Sequence, residues 1–382
     1  MSHPLIQHQI GLLVFICVQL LIAVSNCWAL RRLGDATRAK TAPRVSVLVP
    51  ARNEELNIGD CVESLLAQRY PDFQVIVLDD NSTDRTGAIL AEIQEQHHEL
   101  RVITGQPLPA GWTGKNWACH HLAQEADGEL LLFVDADTTL DADALRQAVS
   151  AMTDEDADLL SLLPRQEMVT WAERLAVPVM SWSVFTLLPL AIAKRVRMPM
   201  LSAAIGQFML FRGSAYEQLG GHASVRLNHV DDIALARRTK AAGLRWRLFD
   251  GTQHVQCRMY RSRGEVVRGL SRTIFAVFGN SIPLYLFVWI WLSIVYLEPI
   301  VLLCGRLAGL PIPPISLWIA VASVGAAFLL WLMTYRRLAI PSALALLYPA
   351  TIATSVVIAA YSLYLTITGR GTWKGRSAAV VR

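Results

Sequence analysis

Three places in this chain carry acidic side chains in patterns that chemistry uses. Asp135-Ala136-Asp137 closes the apolar run GELLLFVDADT. Two carboxylates one residue apart at the end of an apolar strand are costly to bury unless a cation neutralises them. Mg2+ or Mn2+, held by few carboxylates and completing its shell with phosphate oxygens, meets that need. The competing reading is a turn of capping aspartates leading into the helix DADALRQAV. Asp79-Asp80 ends the run FQVIVLDD, where carboxylates can accept hydrogen bonds from a base or ribose, or simply open the next helix through NSTD. Asp231-Asp232 heads IALARRTKAAG. Acids at a helix N-terminus are favoured by its dipole, yet one would suffice as a cap. A carboxylate within reach of a hydroxyl is also a general base.

Other polar residues are weaker signals. Lys115 in GWTGKNWA lacks the phosphate-loop pattern, because Asn116 follows the lysine, and no GxGxxG occurs. Taken alone it is a loop lysine. His97-His98 and His120-His121 have no partners at metal-ligand spacing and read as ordinary histidines. The six cysteines form no CxxC pair, so neither a zinc knuckle nor a disulfide framework is indicated.

These acids need elements to position them. RVSVLVP, FQVIVLDD, RVIT and GELLLFVDADT read as strands, separated by helical stretches in ARNEELNIGDCVESLLAQ and TGAILAEI. Nearly continuous apolar strands alternating with helices indicate a mainly parallel sheet covered on both faces, an α/β domain. Ligands of such sheets bind beyond the carboxyl ends of the strands, where two of the acidic clusters fall.

Composition adds a membrane. Of the 382 residues 53% are hydrophobic and 17% charged, and the apolar excess is concentrated. Residues 10–30 are uncharged and long enough to cross a bilayer. Arg31 and Arg32 follow directly, which favours that end inside the cytoplasm. A cleaved signal peptide fits less well, because no basic region precedes the apolar run. Residues 282–305, 315–333 and 342–367 are further spans. Positive charge at Arg336-Arg337 and in the tail (Arg370, Lys374, Arg376, Arg382) would place both inside, which one intervening span forbids. Either one segment is re-entrant or the tail departs from the rule. Residues 175–193 are expected as an interfacial helix, since crossing there would separate Asp231-Asp232 from Asp135-Asp137. The expected domains are an anchor over 1–32, a cytoplasmic α/β domain over 44–272, and a membrane region over 273–382. The net charge of +4 clusters beside apolar segments, a pattern of membrane surfaces and not of a nucleic-acid groove.

In order along the chain, VSVLVPARNEE, VIVLDDNSTD, WTGKNWA, FVDADT, GQFMLFRGSAYEQLGGH and VDDIALARRTKAAG resemble the family-2 inverting glycosyltransferases with a GT-A fold. The likeness covers roughly residues 44–280, and six weak motifs in one order are together specific. Within that family it is most similar to the bacterial membrane-bound group associated with carotenoid and hopanoid lipids, an impression that TWKGR near the end of the chain reinforces. The resemblance implies that Pro50, Ala51 and Glu54 line the nucleotide pocket, that Asp79 and Asp80 meet base and ribose, and that Asp135 and Asp137 bind metal and diphosphate. It further implies Lys115 near the donor, Gly206 and Gln207 beside the acceptor, and Asp232 as base, with Asp231 where glutamate is usual. Processive members carry QxxRW. Here the text is Gln256-Cys257-Arg258-Met259-Tyr260-Arg261, with no tryptophan. That favours a single transfer, with Arg258 or Arg261 left to clamp the diphosphate.

The expected activity is transfer from a nucleotide-diphosphate sugar, UDP-linked, to a hydroxyl or carboxyl of a membrane lipid or isoprenoid at the bacterial inner membrane. One rival is a processive polysaccharide synthase. Another, of a different class, is a non-catalytic nucleotide-binding membrane protein or transporter, which intramembrane charge such as Glu298 would support.

Overall fold

The structure, a computed structural model, describes residues 2–34, 42–368, 372–373 and 376–377. Most of TWKGR's neighbours in the basic tail, Arg370, Lys374 and Arg382 among them, lie outside the described residues. The chain forms two compact units. One comprises Leu30–Glu167 with Ile192–Met259, the other Met1–Ala29, Met168–Ala191 and Tyr260–Arg382.

The first unit is built on ten strands: β1 Val45–Ala51, β2 Phe73–Asp79, β3 Leu100–Thr104, β4 Leu130–Phe133, β5 Thr138–Leu140, β6 Leu159–Leu163, β7 Arg165–Gln166, β8 Met209–Arg212, β9 Trp246–Asp250 and β10 Val255–Cys257. Seven form one sheet in the order β3-β2-β1-β4-β8-β6-β9. β1 to β4 run parallel to one another, β8 runs antiparallel to both β4 and β6, and β6 and β9 are parallel. The central strands are Val- and Leu-rich and buried end to end, as strands covered on both faces must be.

Register decides which residues meet. Ala51 pairs with Asp79 and Asp79 with Thr104, so β1, β2 and β3 end level. Leu48 pairs with Phe133, and Val134 N–H donates to Leu48 O, which carries the link after β4 to the same edge. Because β8 runs backwards, with Met209 opposite Phe133, the residues that precede it arrive at that edge too. Those residues are Gly206 and Gln207. A three-stranded sheet, β5-β10-β7, stands beside this edge and pairs Cys257 with Thr138, directly after Asp137.

Among the described residues the second unit holds four helices long and apolar enough to cross a membrane: Pro4–Ala29, Ile282–Leu307, Pro314–Arg337 and Ser342–Thr368. The first begins before the expected residue 10. Residues 175–193 are not the single helix anticipated. They break into Trp171–Ala176, Pro178–Leu187 and Leu190–Ala193, with Pro178 opening the middle piece and Pro189 lying in the second break. The middle piece is packed inside its unit: Trp182 is fully buried and stacks on Trp331 at 4.7 Å, with Tyr296 edge-on. The sequence places residues 168–191 and 260–272 within the α/β domain, whereas the structure groups them with the apolar helices.

Polar side chains tie this unit together. Gln19 accepts from the Tyr296 hydroxyl, Ser316 donates to Gln9, and Glu298 pairs with His8 at 2.9 Å. Buried Asn26 donates from Nδ2 to the carbonyls of Phe185 (2.8 Å) and Leu188 (2.7 Å) and accepts from Leu190 N–H (3.0 Å). It thereby serves three backbone groups that the broken helices leave open. A buried backbone group left unpaired costs about 1–3 kcal/mol. Asn26→Leu, matched in size, is therefore expected to lower the unfolding temperature of the detergent-solubilised protein by several degrees, and an unchanged melt would show that these bonds are dispensable.

Candidate active site

The three acidic clusters serve different ends. Asp79 Oδ1 accepts from Ser82 N–H at 3.0 Å, shaping the turn after β2. Asp80 is buried beside Arg52, whose Nη1 lies 3.8 Å from its carboxylate and also donates to its carbonyl. Ser82 Oγ accepts from Asn53 N–H, and Asp84 accepts from Thr86 N–H and from Glu55 N–H. The turns after β1 and β2 thus lock together, with Pro50 and Ala51 ending β1 beneath them. Glu54 N–H donates to Thr86 Oγ1, and its carboxylate accepts from Asn57.

Asp135 and Asp137 sit in the tight link from β4 to β5, closed by Thr138 N–H donating to Asp135 O. Lys115 Nζ lies 2.6 Å from Asp135 Oδ1. Asp137 has weaker company, the Thr138 hydroxyl at 3.3 Å and the Cys257 thiol at 3.4 Å. Burial, then the like charges of Asp135 and Glu54, push the Asp137 carboxyl up to about 7. Burial and the same carboxylates also push the Cys61 thiol up, so it stands there as a neutral packing group. Among the described residues no three or more His, Cys, Asp or Glu side chains form a closed metal cage. A two-carboxylate site short of positive charge fits instead a hard divalent ion that keeps most of its shell for water and phosphate.

Lys115 is positioned from below. It lies in the helix Gly114–Gln124, which Thr113 caps through Asn116 N–H. Buried Asn116 donates to the carbonyls of Val225 (2.8 Å) and Asn228 (3.0 Å), and Thr113 N–H donates to Arg226 O. This helix is therefore stitched to the segment that leads into Asp231. Trp112, Trp117, His120 and His121 pack against one another on it, the ordinary role expected of those histidines.

Asp231 and Asp232 open the helix Asp231–Ala241, yet no side chain caps its N-terminus. Asp232 Oδ2 instead accepts from Gly206 N–H at 3.1 Å, and Oδ1 from Ile233 N–H at 2.7 Å. Burial, then the neighbouring Asp231 charge, push Asp232 up to about 7. Burial would raise Asp231 as well, but the Lys115 ammonium and the His222 ring outweigh it and hold Asp231 below the usual carboxylate range. Two adjacent carboxylates driven apart in this way divide into a permanent anion and a proton acceptor. Gly206 is where the clusters converge: a Cβ there would stand 3.1 Å from Lys115 Nζ, 3.2 Å from Asp135 Oδ2 and 3.7 Å from Asp232 Oδ2. Gln207 is buried beside it. Arg258 N–H donates to Asp137 O at 3.3 Å. Arg261 belongs to the other unit, where its N–H donates to Glu265 at the start of the helix Arg263–Val277.

The sequence profile of Glycosyl transferase family 2 matches residues 46–220, from β1 through the arrival of β8. Those residues, somewhat less than half of the chain, resemble that family. The probable glycosyltransferase YdaM of Bacillus subtilis is 30% identical over 204 residues, 53% of this chain and 46% of that protein. The 4,4'-diaponeurosporenoate glycosyltransferase of Staphylococcus haemolyticus is 26% identical over 239 residues, 61% of this chain and 60% of that one. The matches thus span less than two thirds of either relative. Among solved structures, mannosyltransferase PcManGT from Pyrobaculum calidifontis, in complex with GDP-Man and Mn2+, superposes with a TM-score of 0.56 at 18% identity, covering 95% of this chain and 99% of that one. That likeness is one of fold.

Within the matched region the glycine at 206 is needed for space. The nearest atom to an added methyl is the end of the flexible Lys115 side chain, which can yield, so Gly206→Ala should fold. It should nevertheless move the Lys115–Asp135 pair, and misplacement of that order costs about ten- to a hundredfold in rate. Turnover measured beside a thermal melt checks this, and a normal rate would mean that the three groups do not act together. Three residues of the site escaped sequence reasoning: Asn116, Cys257 and His222. The only local signal was the Gly220-Gly221-His222 text, a glycine pair with no obvious turn partner.

Proposed function

We propose that this chain is a metal-dependent inverting glycosyltransferase that moves a sugar from a UDP-sugar to a hydroxyl or carboxyl of a membrane lipid or isoprenoid. The observation that carries the proposal is the convergence of Lys115, Asp135 and Asp232 on the space beside Gly206. A cationic group, a metal-competent carboxylate and a raised-pKa carboxylate in one place are what displacement at an anomeric carbon requires.

In this reading Asp232 takes the proton of the acceptor hydroxyl as that oxygen bonds to the anomeric carbon. The bond from that carbon to the diphosphate oxygen breaks on the opposite face, the electron pair leaves with the diphosphate, and configuration inverts. Lys115 faces the departing charge, and the Gly206 amide fixes the Asp232 carboxylate. A divalent ion held by Asp135 and Asp137, when bound, would offset charge developing on the diphosphate. Asp79 and Asp80, with Pro50, Ala51 and Glu54, border the nucleotide, Gly206 and Gln207 border the acceptor, and Arg258 or Arg261 pairs with the diphosphate.

The acceptor class is supported by the diaponeurosporenoate relative and by the four apolar helices. We place the catalytic unit, Leu30–Glu167 with Ile192–Met259, on the cytoplasmic side. The helices hold the reaction near a lipid surface and take no part in the chemistry. The pairing of Glu298 with His8 weakens the transporter reading, which needed an acid available to a pathway. The decisive experiment supplies the full chain, in lipid nanodiscs, with radiolabelled UDP-sugars and a bacterial lipid extract. Label should enter the lipid phase with Mg2+ or Mn2+ and not with excess chelator. No labelled lipid from any UDP-sugar would overturn the reading.

A further inference from the structure

Behind the carboxylate pair lies a buried chain of polar groups that the transfer chemistry above does not use. Tyr216, His222 and Asp231 are all buried, His222 completely. The Tyr216 hydroxyl lies 2.7 Å from His222 Nδ1 and accepts from the His222 backbone N–H at 3.1 Å. His222 Nε2 then faces Asp231 Oδ2 at 3.6 Å, longer than a hydrogen bond, and neither atom has another hydrogen-bond partner among the described residues. The phenol reaches the histidine backbone because two glycines make the turn. Gly221 has φ +47, and a Cβ there would stand 2.4 Å from the Tyr216 ring. The ring of Phe133, the last residue of β4, packs on the imidazole at 4.7 Å and fixes its plane.

This geometry points to one placement of the protons. The Tyr216 oxygen already accepts one backbone N–H, and the acceptor open to its own proton among the described residues is His222 Nδ1. A neutral imidazole that accepts at Nδ1 carries its hydrogen on Nε2. That hydrogen sits on the nitrogen 3.6 Å from Asp231 Oδ2.

We propose that His222 is a positioning residue of the carboxylate pair: locked by Tyr216 with its proton on Nε2, it holds Asp231 in place as the permanent anion and leaves Asp232 alone to take the acceptor's proton. The inference rests on the transfer function proposed above. Other groups face the pair: Lys115 and Cys119 from the helix Gly114–Gln124, and Asp135 from the link after β4. Lys115 supplies charge to Asp231, and His222 supplies direction.

Two measurements on the full chain in nanodiscs test this. The first is 15N NMR of histidine-labelled protein, with the His222 signals assigned by their loss in His222→Gln. The nitrogen correlated with the Cδ2 and Cε1 carbons, Nε2, should bear the proton, whereas a proton on Nδ1 overturns the proposal. The second is UDP release from UDP-glucose with a bacterial lipid extract. Gln can place an amide N–H near the Nε2 position, and the shorter Asn cannot. His222→Asn should lose about ten- to a hundredfold in kcat, the size typical of a partner that orients a reacting group, with little change in donor KM. The acid limb of its pH profile should also move to lower pH. His222→Gln should recover much of the rate, and Tyr216→Phe should fall between them. An Asn variant with normal kcat and an unmoved profile overturns the proposal, as does a Gln variant no better than Asn. If the wild-type protein releases no UDP, the transfer reading is what suffers, and the NMR result still decides the position of the proton.

Discussion

Asp232→Asn should reduce sugar transfer by about a hundred- to ten-thousand-fold, the usual loss on removing a general base, while the protein still folds and takes up donor. The amide oxygen of asparagine can accept from Gly206 N–H or Ile233 N–H as the carboxylate does, so the local backbone keeps a partner. It cannot hold a proton. A helix-capping role, by contrast, would tolerate asparagine, which caps about as well as aspartate. The pH profile gives a second check. Because Asp232 is pushed up to about 7, chiefly by burial and then by Asp231, wild-type turnover at saturating Mg2+ should rise as pH increases through about 7, where the base loses its proton. Asp231→Asn should be milder. Its limb should lie at lower pH, since one of the charges that keeps the proton on Asp232 is gone. Turnover and donor affinity measured side by side for both variants would decide the matter, and near-normal turnover in Asp232→Asn with donor binding intact would return this site to capping.

Asp137→Asn should be nearly as damaging by a different route. The two carboxylates of the β4–β5 link differ in company: Asp135 has Lys115 at 2.6 Å, and Asp137 has, among the described residues, a hydroxyl and a thiol. Replacing Asp137 removes half of the proposed donor set but also removes a buried like charge, so the unfolding temperature should hold or rise. Mn2+ binding followed by electron paramagnetic resonance should weaken without any donor present, and donor affinity should lose its dependence on added metal. Full activity of the wild-type protein in excess chelator would remove the metal from the account altogether.

Much of this site could be read from the chain because strand ends are local features. An apolar run such as LLLF followed by Asp135 and Asp137 states both the buried strand and the acids at its tip, and β1 and β2 are legible in the same way. What could not be read depends on contacts between distant residues. Nothing near Gly206 announces that β8 runs backwards beside β4, yet that reversal is what brings residue 206 to Asp135. Lys115 looked like a loop lysine because its partner lies twenty positions away on another element. Asn116 gave no signal and His222 only the glycine pair before it, since each acts on backbone or side chains that only the fold brings near. The break in residues 175–193 was visible in Pro178 and Pro189, but the apolar composition around them spoke more loudly.

The stretch Arg31–Leu33, between the first apolar helix and β1, has a practical meaning. Leu33 N–H donates to Asp250 O and Asp250 N–H to Arg31 O, so this short piece of chain bridges to the last residue of β9, the last strand of the main sheet. Exposed strand edges recruit other chains. Anyone trimming the protein to obtain a water-soluble enzyme would naturally cut just before β1, and would thereby uncover the end of that edge. A truncation that begins at Leu30 keeps the cover in place and should remain monodisperse where one beginning at Ala42 self-associates.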